Sequence, residues 1–296
     1  MKDLLLITPP FTQLNTPYPA TAYLKGFLNT KGIAAFQMDL GIEVILELFS
    51  KVGLASIFEK ASIDGVSENA QRIFGLKQDY IQTIEEVIAF LQGRKPTLAR
   101  QICSGNFLPQ ASRFSQENDL EWAFGNMGMQ DKAKHLATLY LEDLSDFIVE
   151  CLDENFGFSR YAERLGRSAN SFDELYGHLQ KQPTFIDEIT LRILNQKLEE
   201  IQPKLVCFSV PFPGNLYSAF RCAGYIKGHF PEIKIAMGGG FANTELRSVK
   251  DARVFQYFDF ITLDDGELPI ELLAKNVLGK NESLDFKRTF CLENRE

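Results

Sequence analysis

Four short segments of the chain combine glycine, proline and small polar residues with a few side chains that could do chemistry. They read TPPFTQLNTPYP from residue 8, SVPFPGN from residue 209, GGGFANTE from residue 238 and LDDGE from residue 263. Segments of this composition leave backbone amides accessible and keep bulky side chains away, which suits a surface that holds a ligand. Each segment follows an apolar run, so each is predicted to lie at the end of a β-strand.

The three consecutive glycines, Gly238 to Gly240, allow two interpretations. Any one of them is explained by a strand-to-helix turn that needs a positive φ. Three together exceed what a turn needs and predict a flat patch against which another surface can lie. The pattern G-x-G-x-x-G is absent, and so is a Walker motif, so neither a dinucleotide fingerprint nor a phosphate loop is predicted.

The remaining candidates for chemistry are weaker. Asp264, Asp265 and Glu267 resemble a carboxylate cluster for acid–base or Mg²⁺ chemistry, but helix caps and turns are the preferred interpretation. The three histidines lie in helical segments, and no Ser-His-Asp or Cys-His spacing occurs, so no catalytic residue and no metal ligand is predicted. Cys207 and Cys222 lie on apolar faces and are predicted to be core residues.

Apolar periodicity predicts the elements that position these segments: five strands interleaved with helices, which indicates an α/β fold with a doubly wound, parallel, Rossmann-like three-layer sheet. Ligands bind at the carboxyl ends of the strands in such a sheet, so the four segments form one candidate site. The predicted strands are LLLIT, IAAFQMDL, the run from Leu205 to Val210, EIKIAM and FDFITL.

Residues 41–202 have a helical pattern and are predicted to be a large all-helical insertion between the second and third strands. One amphipathic stripe comprises Ile81, Ile84, Val87, Ile88 and Leu91, and another comprises Ile186, Ile189, Ile193 and Leu198. The α/β domain is predicted at 1–40 and 203–279, and residues 280–296 are predicted to be a linker.

Composition excludes several classes of partner. Lys and Arg number 31 against 39 Asp and Glu, a net charge of -8 that repels polyanions, so neither nucleic acid nor an anionic membrane is a predicted partner. No apolar run approaches the roughly 20 residues that span a bilayer. Five cysteines without zinc spacing or an even count indicate a reduced, cytoplasmic protein.

The ordered segments ITPPF, YPATAYLKGFLNTKG, CFSVPFPGN, MGGGFANTEL and FDFITLDDGE resemble a known domain. They are similar to the amino-terminal cobalamin-binding domain of cobalamin-dependent radical S-adenosylmethionine proteins, the group that includes the anaerobic Mg-protoporphyrin monomethyl ester cyclase. The resemblance covers about residues 3–40 and 203–279. No single segment is diagnostic, and the order and spacing of the set carry the resemblance.

The resemblance implies a flavodoxin-like fold that binds cobalamin (vitamin B12), with the corrin ring across the strand ends and the nucleotide tail in a slot beside the sheet. Ser209 and Pro211 would contact the tail, and Gly238 to Gly240 would form one wall of the slot. The full set of implied cofactor-binding residues is Thr8, Pro9, Pro10, Phe11, Thr12, Ser209, Val210, Pro211, Gly214, Gly238, Gly239, Gly240, Phe241, Ala242, Asn243, Leu263, Asp264, Asp265, Gly266 and Glu267.

The sequence departs from the family pattern in two places. The segment after the first strand contains no histidine, so cobalamin is expected to bind without a protein histidine on cobalt. The C-x-x-x-C-x-x-C motif that holds a 4Fe-4S cluster is also absent, so the chain by itself is not expected to cleave S-adenosylmethionine. We therefore expect a fragment of a longer radical enzyme, whose partner is its own C-terminal barrel domain and whose reaction is methyl transfer or another radical step.

Two other functions remain open from the sequence. One is a degenerate cobalamin-type domain without a cofactor, which acts as a docking or substrate-recognition module through the helical insertion. The other is a flavin- or nucleotide-binding enzyme that uses Asp264, Asp265 and Glu267. The second is weaker, because no phosphate loop follows the first strand.

Overall fold

The computed structural model describes residues 4–14, 18–119, 128–159, 161–167, 172–247, 250–279 and 286–292. The chain divides into two compact units, Met1–Val44 with Phe158–Glu296, and Ile45–Gly157. The first unit contains the sheet and is called the α/β unit below. The second is helical throughout its described elements and is called the helical unit.

One sheet organises the α/β unit. Its strands are β1 (Leu4–Thr8), β2 (Ala35–Asp39), β3 (Leu205–Ser209), β4 (Lys234–Gly238), β5 (Phe260–Thr262) and β6 (Thr289–Phe290), in the order β2-β1-β3-β4-β5-β6. The first five are parallel, and β6 is antiparallel to β5. The α/β class is confirmed, but the predicted count of five strands is wrong, because β6 lies within 280–296, where a linker was predicted.

The described helices follow in chain order. They are α1 (Ala20–Thr30), α2 (Leu40–Leu48), α3 (Lys51–Lys60), α4 (Glu68–Gly75), α5 (Lys77–Leu91), α6 (Ala99–Cys103), α7 (Met129–Cys151), α8 (Glu163–Arg167), α9 (Asp173–Leu179), α10 (Phe185–Ile201), α11 (Leu216–His229), α12 (Gly240–Glu245) and α13 (Glu267–Val277). None of these helices has the length and apolar character needed to cross a membrane.

Helices cover both faces of the sheet, which explains why every residue of β1 and β3 is buried. Leu6 and Cys207 point to one face and pack with Leu28 of α1 and Leu273 of α13 in a single apolar cluster. On the other face, the Phe220 ring of α11 lies 4.9 Å from the ring of Phe258, which also contacts Phe208 of β3. This arrangement follows from the period-two alternation of side chains along each strand.

Helix α10 belongs to the α/β unit, so the compact helical unit is smaller than the predicted insertion of 41–202. The helix begins with a capping box, in which the Thr184 hydroxyl accepts from the Asp187 amide at 3.1 Å and the Asp187 carboxylate accepts from the Thr184 amide at 3.2 Å. Its predicted apolar stripe is buried. Tyr225 of α11 donates to the Asn195 side chain of α10 at 2.9 Å, which ties these two helices together.

In the helical unit, the buried face of α5 differs slightly from the predicted stripe. Ile84 and Val87 are buried as predicted, but Tyr80 and Phe90 complete the face, while the predicted Ile81, Ile88 and Leu91 are only half-buried. The Tyr80 ring packs 5.0 Å from the ring of Tyr140 on α7. Two aromatic residues therefore join Ile84 and Val87 on the buried face of α5.

Candidate ligand-binding site

A cavity of about 330 Å³ lies between the sheet and helices α1 and α13, at Leu6 of β1 and the carboxyl ends of β3, β4 and β5. Its floor includes Leu6, Cys207 and Ala236, which are partners in register on three adjacent strands. Cys207 and Ala236 are small, so they leave space between the sheet and the helices. The volume falls within the roughly 300–1,000 Å³ of ligand pockets, and the position is where open parallel sheets bind ligands.

Helices supply the walls of the cavity. Thr21, Tyr23 and Leu24 of α1 face Ile270 and Leu273 of α13 across it. Sequence reasoning did not identify any of these five as a site residue. The available signal was indirect: α1 begins directly after the first strand-end segment, so its first turn had to lie near the strand ends.

Two buried hydroxyl groups line the cavity. Ser209 at the end of β3 is 7% exposed, and Thr21 in the first turn of α1 is 6% exposed. Within the part of the chain that the structure describes, neither side chain forms a hydrogen bond to another residue. Neither hydroxyl oxygen is sealed from solvent, so each can hydrogen-bond to water or to a ligand in the cavity.

The segment after β5 places the carboxylates of Asp264, Asp265 and Glu267 at the mouth of the cavity. Of these, Asp264 is already paired with other residues of the protein. Its carboxylate forms an ion pair with Arg247, and the Arg288 guanidinium lies 3.7 Å away. The Asn243 side chain exchanges two hydrogen bonds with the Asp264 backbone. Asp264 thus fixes the turn, in line with the preferred interpretation of the acidic residues.

Glu267 and Asp265 have different roles at the mouth. The Tyr23 hydroxyl donates to Glu267 Oε1 at 2.8 Å and so joins α1 to α13. This hydrogen bond, with the negative charge of Glu267, raises the pKa of Tyr23. Asp265 is exposed and has no ion pair or hydrogen bond among the described residues. No Lys or Arg belongs to the described cavity lining. Arg247 and Arg288 form their ion pairs with Asp264, so the charges of Asp265 and Glu267 leave the mouth net negative.

The glycine triplet packs against the protein itself, which corrects the hypothesis of a patch left open for a ligand. Gly239 has φ +106°, and a Cβ there would lie 2.7 Å from the Val210 carbonyl oxygen. A Cβ on Gly238 would collide with Thr262 Oγ1, and one on Gly240 would lie 3.0 Å from the Pro211 carbonyl oxygen. Gly238 and Gly239 still line the cavity, whereas Gly240 does not.

The segment after β1 is buried and does not line the cavity, although Thr8, Pro9, Pro10, Phe11 and Thr12 were implied to border the cofactor. The Phe11 ring packs 5.7 Å from the Tyr161 ring, and Asn215 Nδ2 donates to the Pro9 carbonyl at 2.7 Å. Because of these contacts, the segment packs within the protein instead of bordering the cavity.

The implied residues therefore divide into two groups. Those that line the cavity are Ser209, Gly238, Gly239, Asp264, Asp265, Gly266 and Glu267. Those outside it, besides the β1 segment and Gly240, are Val210, Pro211, Gly214, Phe241, Ala242, Asn243 and Leu263. Gly214, for example, accepts from the Tyr161 amide at 3.3 Å and lies against the segment before α8.

Cys207 provides a chemical probe of the cavity floor. Burial raises the pKa of its thiol to about 12, so at pH 8 only about one molecule in ten thousand carries the reactive thiolate. We expect iodoacetamide to label Cys207 far more slowly than the half-buried Cys103, with a rate that rises about tenfold per pH unit between pH 7 and 9. Peptide mass spectrometry measures both rates, and equal rates at pH 8 would contradict the buried position.

Among the described residues, no group of His, Cys, Asp or Glu side chains is placed to hold a metal ion. Comparison with known proteins finds no matching family model, no matching curated protein and no matching solved structure.

Proposed function

We propose that the α/β unit is a cobalamin-binding domain with a flavodoxin-like fold, and that the cavity takes the nucleotide tail of the cofactor. The cavity itself is the observation that carries the proposal, because it lies between the sheet and two helices at the strand ends. The parallel strand order β2-β1-β3-β4-β5 supports it, since this order is characteristic of flavodoxin-like folds. The sequence resemblance supplies the identity of the ligand.

The residues present fit the apolar end of the tail. Dimethylbenzimidazole is a flat, apolar bicycle, and the floor of Leu6, Cys207 and Ala236 offers it an apolar surface without bulky side chains in its centre. Ser209 and Thr21 would supply hydroxyl groups to the ring nitrogen or the ribose. The cavity would thus bind and orient the tail without a charged contact at its base.

The corrin ring would lie over the exposed strand-end surface. Phe212 is 52% exposed and packs edge-on against Tyr18, with ring centroids 6.0 Å apart, which offers an apolar contact. Phe11 is buried and would not take part. Bound cobalamin would supply a cobalt centre for methyl transfer or another radical step. The other components of the reaction would be S-adenosylmethionine, the 4Fe-4S cluster and the C-terminal barrel domain of the proposed parent enzyme.

Retention of the pigment tests this proposal. The protein is mixed with hydroxocobalamin, desalted, and its absorbance spectrum is recorded. We expect a retained pigment with a base-off spectrum, because the tail would occupy the cavity and would not coordinate cobalt. Ala236→Leu should abolish retention, and because Ala236 is buried, the melting temperature of the variant is measured in parallel to separate a filled cavity from lost stability.

The same experiment also tests the alternative function, a domain that binds no cobalamin. Colourless wild-type protein with a normal melting temperature would contradict the cobalamin proposal. It would favour a degenerate domain that serves as a docking or substrate-recognition module. The burial of the β1 segment under Tyr161 is the observation that favours this alternative, because it removes one implied part of the corrin surface.

A further inference from the structure

The mouth of the cavity keeps unused hydrogen-bond acceptors after the protein's own contacts are counted. Asp264 is held by Arg247 and Arg288, as described above. Glu267 accepts from Tyr23 through Oε1 only, and Asp265 has no partner among the described residues. Carboxylate oxygens accept and never donate when ionised, so the part of a ligand that lies here must bring hydrogen-bond donors.

Ser209 and Thr21 independently offer two accessible hydroxyl groups to a ligand in the same cavity. Both side chains are more than nine-tenths buried and lack partners among the described residues. The floor beneath them is apolar, and at the mouth above them Arg247 and Arg288 offset Asp264 and leave the charges of Asp265 and Glu267 unpaired among the described residues. The cavity therefore has a polarity gradient, from an apolar ring site at the floor to an acceptor-rich, negative rim.

We propose that Asp265 and Glu267 are specificity-determining residues that select sugar hydroxyls at the mouth and exclude phosphate, with Tyr23 as the residue that positions Glu267. This inference rests on the proposed function and adds the orientation of the nucleotide tail within the cavity. The benzimidazole lies at the floor, the ribose lies between the two carboxylates, and the phosphate of the tail lies outside. Acidic residues bind ribose hydroxyls in other α/β sheets, whereas two carboxylates repel a phosphate at this range.

Binding of the tail without the corrin tests the inference. The probes are dimethylbenzimidazole riboside and the same riboside carrying a phosphate on its ribose, titrated by calorimetry at low ionic strength. We expect wild-type protein to prefer the uncharged riboside by about tenfold or more, and we expect added salt to reduce this preference because it screens the repulsion. The double variant Asp265→Asn with Glu267→Gln should reduce the preference to about twofold or less.

Two further variants separate specificity from stability and from net charge. Tyr23→Phe should lower the preference for the riboside without changing the melting temperature, because it removes only the hydroxyl that holds Glu267. Glu232→Gln is a control for net charge, since it removes one of the two charges lost in the double variant, from an exposed residue before β4 at the opposite end of that strand. It should leave the preference unchanged.

The outcomes distinguish this inference from the function on which it rests. Loss of preference in the mouth variants alone supports the inference. If wild-type protein retains cobalamin but the mouth variants keep the wild-type preference, or if wild-type protein prefers the phosphorylated probe, the inference is wrong and the proposed function stands. If wild-type protein binds neither the riboside nor cobalamin, both proposals fail.

Discussion

Replacing Gly239 by alanine is expected to lower the free energy of unfolding by about 3 kcal/mol, because backbone strain and a steric clash act together. Its φ of +106° and ψ of −177° lie in a region that only glycine occupies readily. An added Cβ would lie 2.7 to 2.9 Å from three backbone atoms of Val210. Val210 has no room to yield, since its amide donates to the Gly238 carbonyl at 2.8 Å and its carbonyl accepts from the Phe241 amide at 3.1 Å.

Gly26→Ala is the matched control for this substitution. Gly26 lies inside α1, and a Cβ there would meet no heavy atom within 4 Å. Alanine is the better helix former by up to about 1 kcal/mol, so this variant should be as stable as wild type or slightly more stable. Urea denaturation followed by circular dichroism measures both variants. Equal losses of stability would contradict the close packing of the triplet against the β3 segment.

Replacing Arg221 by methionine is expected to cost about 3–5 kcal/mol, since it leaves the buried Asp187 carboxylate without its cation. Asp187 is 2% exposed, and its Oδ2 lies 3.2 Å from Arg221 Nε and accepts from the Tyr217 hydroxyl at 2.7 Å. Arg221 also donates to the Leu179 carbonyl at 2.8 Å. The variant therefore breaks the connection between α11, the start of α10 and the end of α9.

An ion pair at the surface of α10 provides the control for Arg221. Lys197 lies 2.8 Å from Glu200, but their side chains are 30% and 59% exposed. Exposed pairs of this type contribute about 0.5 kcal/mol or less, so Lys197→Met should change stability little. If both variants lose the same stability in denaturant titrations, the buried network does not hold these helices together.

The strands and the stripe of α10 could be predicted because each has a local signal. Continuous apolar runs such as LLLIT indicate strands buried on both faces, and Ile186, Ile189, Ile193 and Leu198 repeat at helical spacing. The two-residue β6 has no such signal, since it exists only through its pairing with β5. Periodicity also gives the buried face of a helix without naming its partner, so the packing of α10 on α11 was not predictable.

The candidate site could be predicted only in part, for a related reason. The residues Ser209, Asp265 and Glu267 were found because strand ends in a parallel sheet converge. Cys207 and Ala236 were missed, because a small residue inside a strand becomes informative only when its partner in register is also small. The glycine triplet was misread because its neighbours, Val210 directly after β3 and Thr262 in β5, are distant in sequence.

The comparison of cobalamin with cobinamide, which lacks the nucleotide tail, tests the central claim most directly. Both corrinoids are titrated into the wild-type protein and followed by absorbance. If the cavity holds the tail, cobalamin should bind about sixtyfold more tightly, since burial of roughly 100 Å² of apolar ring surface contributes about 2.5 kcal/mol. Equal affinities for the two corrinoids would contradict the account, because the tail would then lie outside the cavity.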